Sequence, residues 1–281
     1  MEIVHIKYPD KPAFTEGKGC ALALGFFDGV HIGHQKILET TKHLAVKAGL
    51  EFAVMTFYPH PSTVIQSSNV ITKYLTPMPK KQQIFEHIGV SKLYIIHFDK
   101  EFARLSHSDF VDDYVKGTNC KHAVAGFDFS YGYRGKGDMQ QLVLDSKGEF
   151  EITTVNKMEE NNHKISSTYI RQLLMKGEVN CIPSFLGEYY KVVANISAYQ
   201  KKQNKLKLNV NMDQDVFLPL PGTYKVSVNL NETNISGTMI VPNHNRSHGT
   251  VWLFMKNYVV LPTSITIQFL SRKELLSVSN E

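Results

Sequence analysis

The apolar positions of this chain follow a strand pattern, then a helix pattern, then a strand pattern again. Ala21-Leu-Ala-Leu-Gly25 is a wholly apolar run of strand length that stops at a glycine. Ile37, Leu38, Thr41, Leu44, Ala45 and Ala48 then recur at helical spacing, and Gly49 supplies a stop. Phe52-Ala-Val-Met-Thr-Phe57 reads as a second strand, closed by Tyr58-Pro59-His60-Pro61, where two prolines forbid continuation. Strand, helix and strand in this order form the βαβ unit of a parallel sheet.

The alternation continues downstream. The spacing predicts a helix over 80–87, a strand over 93–98, a helix over 108–116, a strand over 122–126 and a helix over 168–175 ended by Gly177. The expected fold class is therefore α/β, a doubly wound parallel sheet occupying residues 1–185. From Tyr190 the period shortens. Strand-like segments at 205–210, 222–228, 250–254 and 265–270 are separated by Pro219, Pro221, Asn231, Pro242 and Asn243. A small antiparallel β-barrel or sandwich is expected over 186–281.

Composition narrows the class without naming a chemistry. The 281 residues suffice for two ordinary domains with their own cores. No apolar run approaches the roughly 20 residues that span a bilayer. The N-terminal Met1-Glu-Ile-Val-His-Ile-Lys has no basic region followed by an apolar core, so a cytoplasmic location without membrane attachment is expected. The net charge of +5 suits polyanionic small ligands but is too mild and scattered for nucleic acid. Cys20, Cys120 and Cys181 form no CxxC pair and no metal spacing, and read as reduced, packed thiols. No His, Cys, Asp or Glu set suggests a transition-metal site, although Asp28 is placed either to help position Mg2+ with the phosphates or to fix a turn.

Four segments carry candidate chemistry. In Gly25-Phe26-Phe-Asp28-Gly29-Val-His31-Ile-Gly33-His34, the glycines permit sharp turns and close approach of phosphate to the main chain. The helix that follows offers unpaired N–H groups to an anion. His31 and His34, three apart, share a face of its first turn and can donate to phosphate oxygens. The plainer reading is two surface histidines beside a glycine turn; the preceding strand and following helix favour the functional one.

The second segment, Phe57-Tyr-Pro59-His60-Pro61, ends a parallel strand, where ligand crevices lie, and its aromatic and proline faces can wall a flat ring. The third is Gly126-Phe-Asp128-Phe129-Ser-Tyr131-Gly-Tyr-Arg134-Gly-Lys-Gly-Asp138, a glycine-rich loop with aromatics and cations suited to a planar phosphorylated ligand. In the fourth, Ile165-Ser166-Ser167-Thr168-Tyr-Ile-Arg171, the hydroxyls serve first as helix caps. An arginine one turn on exceeds what a cap needs and matches phosphate geometry. Taken alone, the second reads as a strand-ending loop and the third equally as a surface loop.

Together, in order, these segments resemble the bacterial FAD synthetases, the riboflavin kinase/FMN adenylyltransferase family, whose adenylyltransferase module belongs to the HxGH nucleotidyltransferases. The resemblance spans residues 18–190 and closes on Phe185-Leu-Gly-Glu-Tyr-Tyr190. It implies FAD biosynthesis from ATP and FMN as substrates, with Mg2+ accompanying ATP and pyrophosphate leaving. It implies His31, His34 and Arg171 as catalytic contacts to phosphate. It places Gly25, Phe26, Asp28, Gly29, Gly33, Ser166, Ser167 and Thr168 toward ATP. Phe57, Pro59, His60, Pro61, Asp128, Phe129, Tyr131 and Arg134 would border the flavin. Where most of the family reads Gly-Asn-Phe-Asp-Gly, this chain has Gly25-Phe26-Phe27-Asp28-Gly29.

The tail departs further. The Gly-x-Pro-Thr-Ala-Asn segment that marks the kinase module is missing between Ile196 and Pro221. Gly249-Thr-Val-Trp-Leu-Phe254 carries no carboxylate where the family has its base. The expectation is an FMN adenylyltransferase with a degenerate kinase-like barrel, able to work after removal of the residues beyond 190. The alternatives are a bifunctional enzyme, a flavin-binding regulator without catalysis, or an HxGH enzyme for a pantetheine or nicotinamide nucleotide. Self-association is left open.

Overall fold

The structure is a computed structural model describing residues 1–13, 17–65, 70–231, 233–242, 248–254 and 261–273. Two compact units emerge, 1–72 with 76–159 and 73–75 with 160–281. The expected turn at Asn243 lies outside the described residues.

The first unit is built on six parallel strands: β1 (Glu2–Lys7), β2 (Cys20–Leu24), β3 (Glu51–Tyr58), β4 (Lys92–His97), β5 (Cys120–Gly126) and β6 (Glu151–Val155). Their order is β1-β4-β3-β2-β5-β6. The helices are α1 (Ile32–Ala48), α2 (Met78–Ile88), α3 (His107–Asp109) and α4 (Met139–Ser146). Strand β2 is buried on both faces, which explains its unbroken apolar run. Leu22 and Leu24 enter one core with Met55, Ile96 and Phe110. Ala21 and Ala23 enter the other, their small size admitting Ile37 and Leu38 of α1. Gly49 caps α1 with φ 67°, as its place after the last periodic residue predicts.

The helix expected over 108–116 takes a mixed form, running from α3 through a π turn (Phe110–Val115) into a 3-10 turn (Lys116–Thr118). The wide turn carries Phe110, Val111, Tyr114 and Val115 to one face, and all four are buried. Strands β1 and β6 and helix α4 were not anticipated by periodicity. Cys20 and Cys120, far apart in sequence, are register partners across β2 and β5, and both are free thiols.

This topology places the candidate segments. The chain leaves β2 through α1 to β3 on one side, while β5 lies on the other side of β2. The carboxyl ends of β3, β2 and β5 therefore share one edge at the point where the winding reverses, the usual crevice of such sheets.

The second unit begins around a small hairpin, β7 (Glu159–Glu160) with β8 (His163–Lys164), followed by α5 (Ser167–Lys176) and α6 (Pro183–Leu186). Six strands then close a barrel: β9 (Lys191–Lys202), β10 (Lys205–Met212), β11 (Gly222–Leu230), β12 (Thr233–Val241), β13 (His248–Phe254) and β14 (Ser264–Arg272). Every pairing is antiparallel. Leu208, Val226, Met239, Val251 and Ile267 fill the interior while their neighbours along each strand face out. Closure makes this a barrel and not a sandwich, and it depends on β9 and β12, whose patterns the sequence concealed. Gly237 interrupts β12 because a Cβ there would lie 2.5 Å from the Leu253 side chain. Residues 73–75 join this unit through Tyr74, whose N–H donates to the Asp215 carbonyl and whose carbonyl accepts from Phe217.

Among the described residues no helix is long and apolar enough to cross a membrane.

Candidate active site

The turn from β2 into α1 adopts a backbone that few residues tolerate. Phe27 (φ 55°), Gly29 (φ 83°) and Val30 (φ 43°) all lie in the left-handed region. Glycine accepts this freely, but for a β-branched valine it is an outlier that surrounding contacts must enforce. The Phe27 ring is fully buried, edge-on to Phe85 at 5.8 Å and to His34 at 5.3 Å. Gln35 donates through Nε2 to the Val30 carbonyl at 2.9 Å. Asp28, itself buried, accepts from the Thr76 N–H at 3.0 Å. The Phe26 carbonyl accepts both the Thr56 hydroxyl at 3.0 Å and the Lys81 ammonium at 2.7 Å. The turn is preset before any ligand arrives.

His31 caps the helix that this turn launches. Its Nδ1 accepts the His34 N–H at 3.2 Å, which leaves Nε2 to carry the proton of the neutral ring. The His31 and His34 rings stack with centroids 3.6 Å apart. Gly33 makes room for this, since a Cβ there would stand 3.2 Å from the His31 ring. His34 is pushed well below the ordinary histidine range, chiefly by burial and further by the positive charge of His31 and Lys81. Its buried Nδ1 has no hydrogen-bond partner among the described residues. A neutral imidazole beside the positive end of a 17-residue helix suits a phosphate site.

The neighbouring strand end divides its roles. Pro59, His60 and Pro61 are half-buried at the edge, and the His60 ring stands edge-on to Phe26 at 4.4 Å. Its Nδ1 accepts the Ser62 N–H at 3.1 Å, fixing the imidazole's orientation. Phe57 instead belongs to the core, packed among Phe98, Phe102 and Phe110.

The loop after β5 is strapped down in its middle and open at its ends. Asp128 and Arg134 are exposed, and Phe129 is half-buried against Tyr131, 5.7 Å between centroids. Tyr131 is buried, and its hydroxyl donates to Asp145 Oδ2 at 2.7 Å. Asp145 also accepts from Gln141 Nε2 at 2.8 Å and meets His107 Nδ1 at 2.8 Å. Burial alone would raise its pKa, but the bonds from Gln141, Tyr131 and His107 prevail and hold it below the usual carboxylate range. Gly132 (φ 72°) lies so close to His107 that a Cβ would sit 2.7 Å from that residue's backbone.

The fourth segment lies in the second unit. Ser166 caps α5, its Oγ accepting the Tyr169 N–H at 3.2 Å, so the capping role is realised. Ser167 is half-buried and Thr168 exposed on the same first turn. Arg171 is buried, its guanidinium 5.9 Å from the Phe217 ring centroid.

The structure thus gathers Gly25–His34, Pro59–Pro61 and the 126–138 loop at one sheet edge of the first unit, and sets Ser166–Arg171 on a helix of the second. Sequence reasoning missed Lys81, Thr76, His107 and Asp145. A signal for Lys81 was present, because it lies one helical turn before the buried Phe85 and so faces the core.

Known proteins resemble this chain in sequence and in fold. Residues 14–169 match the family described as FAD synthetase. The bifunctional riboflavin kinase/FMN adenylyltransferase of Bacillus subtilis is 38% identical over 234 residues, 82% of this chain and 74% of that protein. A Listeria monocytogenes protein named FAD synthetase is 30% identical over 261 residues, 92% of this chain and 98% of its own length. A solved Streptococcus pneumoniae structure titled a macrolide-efflux protein shares the fold, with a TM-score of 0.83 at 24% identity over 98% of this chain and 94% of that one. On the family match and these sequence relatives, the chain belongs to the FAD synthetase family.

Proposed function

We propose that this protein transfers the adenylyl group of ATP to FMN, giving FAD and pyrophosphate, and that it lacks riboflavin kinase activity. The observation that carries the first part is the His31–His34 stack at the N-terminus of α1, preceded by a preset left-handed turn at the switch point of the sheet. In this reading the FMN phosphate oxygen attacks the α-phosphorus of ATP, a new P–O bond forms, and the bond to the bridging oxygen of pyrophosphate breaks. No protein nucleophile takes part. The chain supplies alignment and compensates the charge that grows on the leaving oxygens.

His31 and His34 donate to those oxygens together with the first N–H groups of α1, while Gly25, Phe26, Asp28, Gly29 and Gly33 shape the turn beside the nucleotide. Ser166, Ser167, Thr168 and Arg171 serve the triphosphate from α5. Pro59, His60, Pro61, Asp128, Phe129 and Arg134 border the flavin, with Phe57 and Tyr131 supporting them from the core. Among the described residues no group of three or more His, Cys, Asp or Glu side chains could hold a metal ion, and Asp28 is engaged by Thr76. In this reading Mg2+ accompanies ATP as a counter-ion of its phosphates.

The absence of kinase activity rests on the barrel's sequence. It lacks the Gly-x-Pro-Thr-Ala-Asn segment and has no carboxylate in Gly249–Phe254. The relative named only FAD synthetase aligns over 98% of its own length, which supports the same reading. The functional division we favour is an adenylyltransferase module over 1–185 and a degenerate kinase-like barrel over 186–281. Purified protein with FMN, ATP and Mg2+ should form FAD, and with riboflavin and ATP should form no FMN. Absence of FAD defeats the first claim, and formation of FMN defeats the second.

A further inference from the structure

Lys81 is only 2% exposed, yet no carboxylate among the described residues pairs with it directly. Among the described residues its ammonium makes one hydrogen bond, to the Phe26 carbonyl at 2.7 Å, and lies 4.4 Å from the centroid of the Phe26 ring. Two ionisable groups face it, Asp28 from the turn and His34 from α1. A lysine buried on one carbonyl and one ring is a costly way to fill a core, and an apolar side chain of the same length would pack there without desolvating a charge. The position is also specific, because the carbonyl it holds opens the left-handed turn leading to His31.

We propose that Lys81 is a positioning residue for the phosphate chemistry of this site: its buried charge, fixed on the Phe26 carbonyl, orders the turn of residues 25–31 and adds to the field that holds a polyphosphate there. This rests on the adenylyl-transfer reading and names a group that the reading does not require. Electrostatics agree with the geometry. Burial lowers Lys81 to about 8, with Asp28 opposing that trend, and Lys81 in turn helps to keep His34 neutral. At neutral pH the turn is therefore flanked by the buried Lys81 charge, which Asp28 faces without pairing with it directly, and an arriving polyphosphate adds its own negative charge to that field.

Binding of inorganic tripolyphosphate, measured by calorimetry on the full chain, tests this without requiring turnover. Lys81→Met should weaken binding at least tenfold at pH 7. The wild-type protein should lose affinity between pH 7 and 9.5 as Lys81 deprotonates, whereas Lys81→Arg, which cannot deprotonate, should not. In FAD formation, Lys81→Met should lower kcat by roughly 10- to 100-fold with a smaller change in KM for FMN, since an ordered phosphate turn acts in the transition state. Unchanged tripolyphosphate binding by a folded Lys81→Met protein, or an alkaline loss that persists in Lys81→Arg, overturns the proposal. If Lys81→Met does not fold, the comparison of wild type with Lys81→Arg decides alone. Lys81-dependent binding by a wild-type protein that makes no FAD would refute the adenylyl-transfer reading and leave this one standing.

Discussion

The imidazoles of His31 and His34 lie face to face, 3.6 Å between centroids and 14° from parallel. Two cations do not stack in this way in a buried site, so at most one ring of the pair carries a positive charge. His34 is the ring that stays neutral, because burial disfavours its charged form and His31 and Lys81 oppose its protonation. Its folded pKa lies below the value of 6.5 for a free histidine, so its contribution to stability is complete above pH 6.5 and is lost as the pH falls below it. Relative to His34→Gln, the wild-type protein should lose about 1.4 kcal/mol of stability per pH unit below that point. Urea unfolding of both proteins at pH 5.5 and 7.5 measures the difference, and parallel pH dependences would contradict it.

The two histidines differ in what else they do. His31→Ala removes the cap of α1 along with the proposed phosphate donor, so it should cost about 0.5–2 kcal/mol of stability in addition to activity. His34→Ala removes no cap. Either change should lower kcat by about 10²–10³-fold, with much less effect on FMN affinity. Asn at position 31 restores a capping oxygen and should recover thermal stability without recovering turnover. Melting curves alongside steady-state kinetics separate the two effects.

Burial of charged Lys81 costs on the order of 3 kcal/mol at neutral pH, from a pKa lowered from 10.5 to about 8. Lys81→Met removes that cost, and the Phe26 carbonyl keeps its bond from Thr56. The variant should therefore match or exceed wild-type stability at pH 7. Because a lysine with a depressed pKa destabilises most below its folded pKa, any advantage should shrink as the pH rises from 8 toward 10.5. A constant advantage across that range would mean that packing, and not charge, sets it.

The sheet was legible because a parallel βαβ unit writes long apolar runs and clear glycine stops, as in Ala21–Gly25 and Ile37–Gly49. The histidine pair was legible for the same reason, since a strand end and a helix start frame it. Asp145 was not, and for Lys81 the helical spacing to Phe85 gave its face but not its partner. Each is a polar residue on a helix, and only the tertiary neighbours, the Phe26 carbonyl in one case and Tyr131 with His107 in the other, show what it holds. The closing strands β9 and β12 were hidden differently: Thr233–Val241 carries a mid-strand glycine that the Leu253 side chain requires, and this erases the alternation. Phe57 and Tyr131 sit in segments that read as ligand walls, but register turns both rings into the core.

Asp145 holds the loop after β5 from below. Asp145→Asn weakens acceptance from Tyr131, Gln141 and His107 together, and should cost about 1–3 kcal/mol. With the loop loosened, KM for FMN should rise more than KM for ATP. Tyr131→Phe should show a milder version of the same split. Gly132→Ala forces a side chain against the His107 backbone at a positive φ, so it should reproduce the Asp145→Asn phenotype. Equal changes in both KM values would show that the loop is not tied to the flavin.

Removal of residues 191–281 offers the most direct test of the barrel. The sequence alone suggests that adenylyl transfer survives this, but α5 belongs to the barrel's own unit. The Leu174 carbonyl of α5 accepts from the Leu220 N–H at 2.8 Å, and Arg171 lies over Phe217. Gly177 at the end of α5 packs so tightly that a Cβ would stand 2.7 Å from the Arg272 side chain. Truncation strips away every one of these partners while sparing Ser166 and Arg171 themselves. If Arg171 holds phosphate as proposed, a displacement of about 1 Å is enough to cost ~100-fold in rate. The truncated protein should therefore lose at least that factor in FAD formation, although the first unit keeps its sheet and its helical circular-dichroism signal. Wild-type activity in the truncated chain would show that α5 holds its position without the barrel, and would return the barrel to a role outside catalysis.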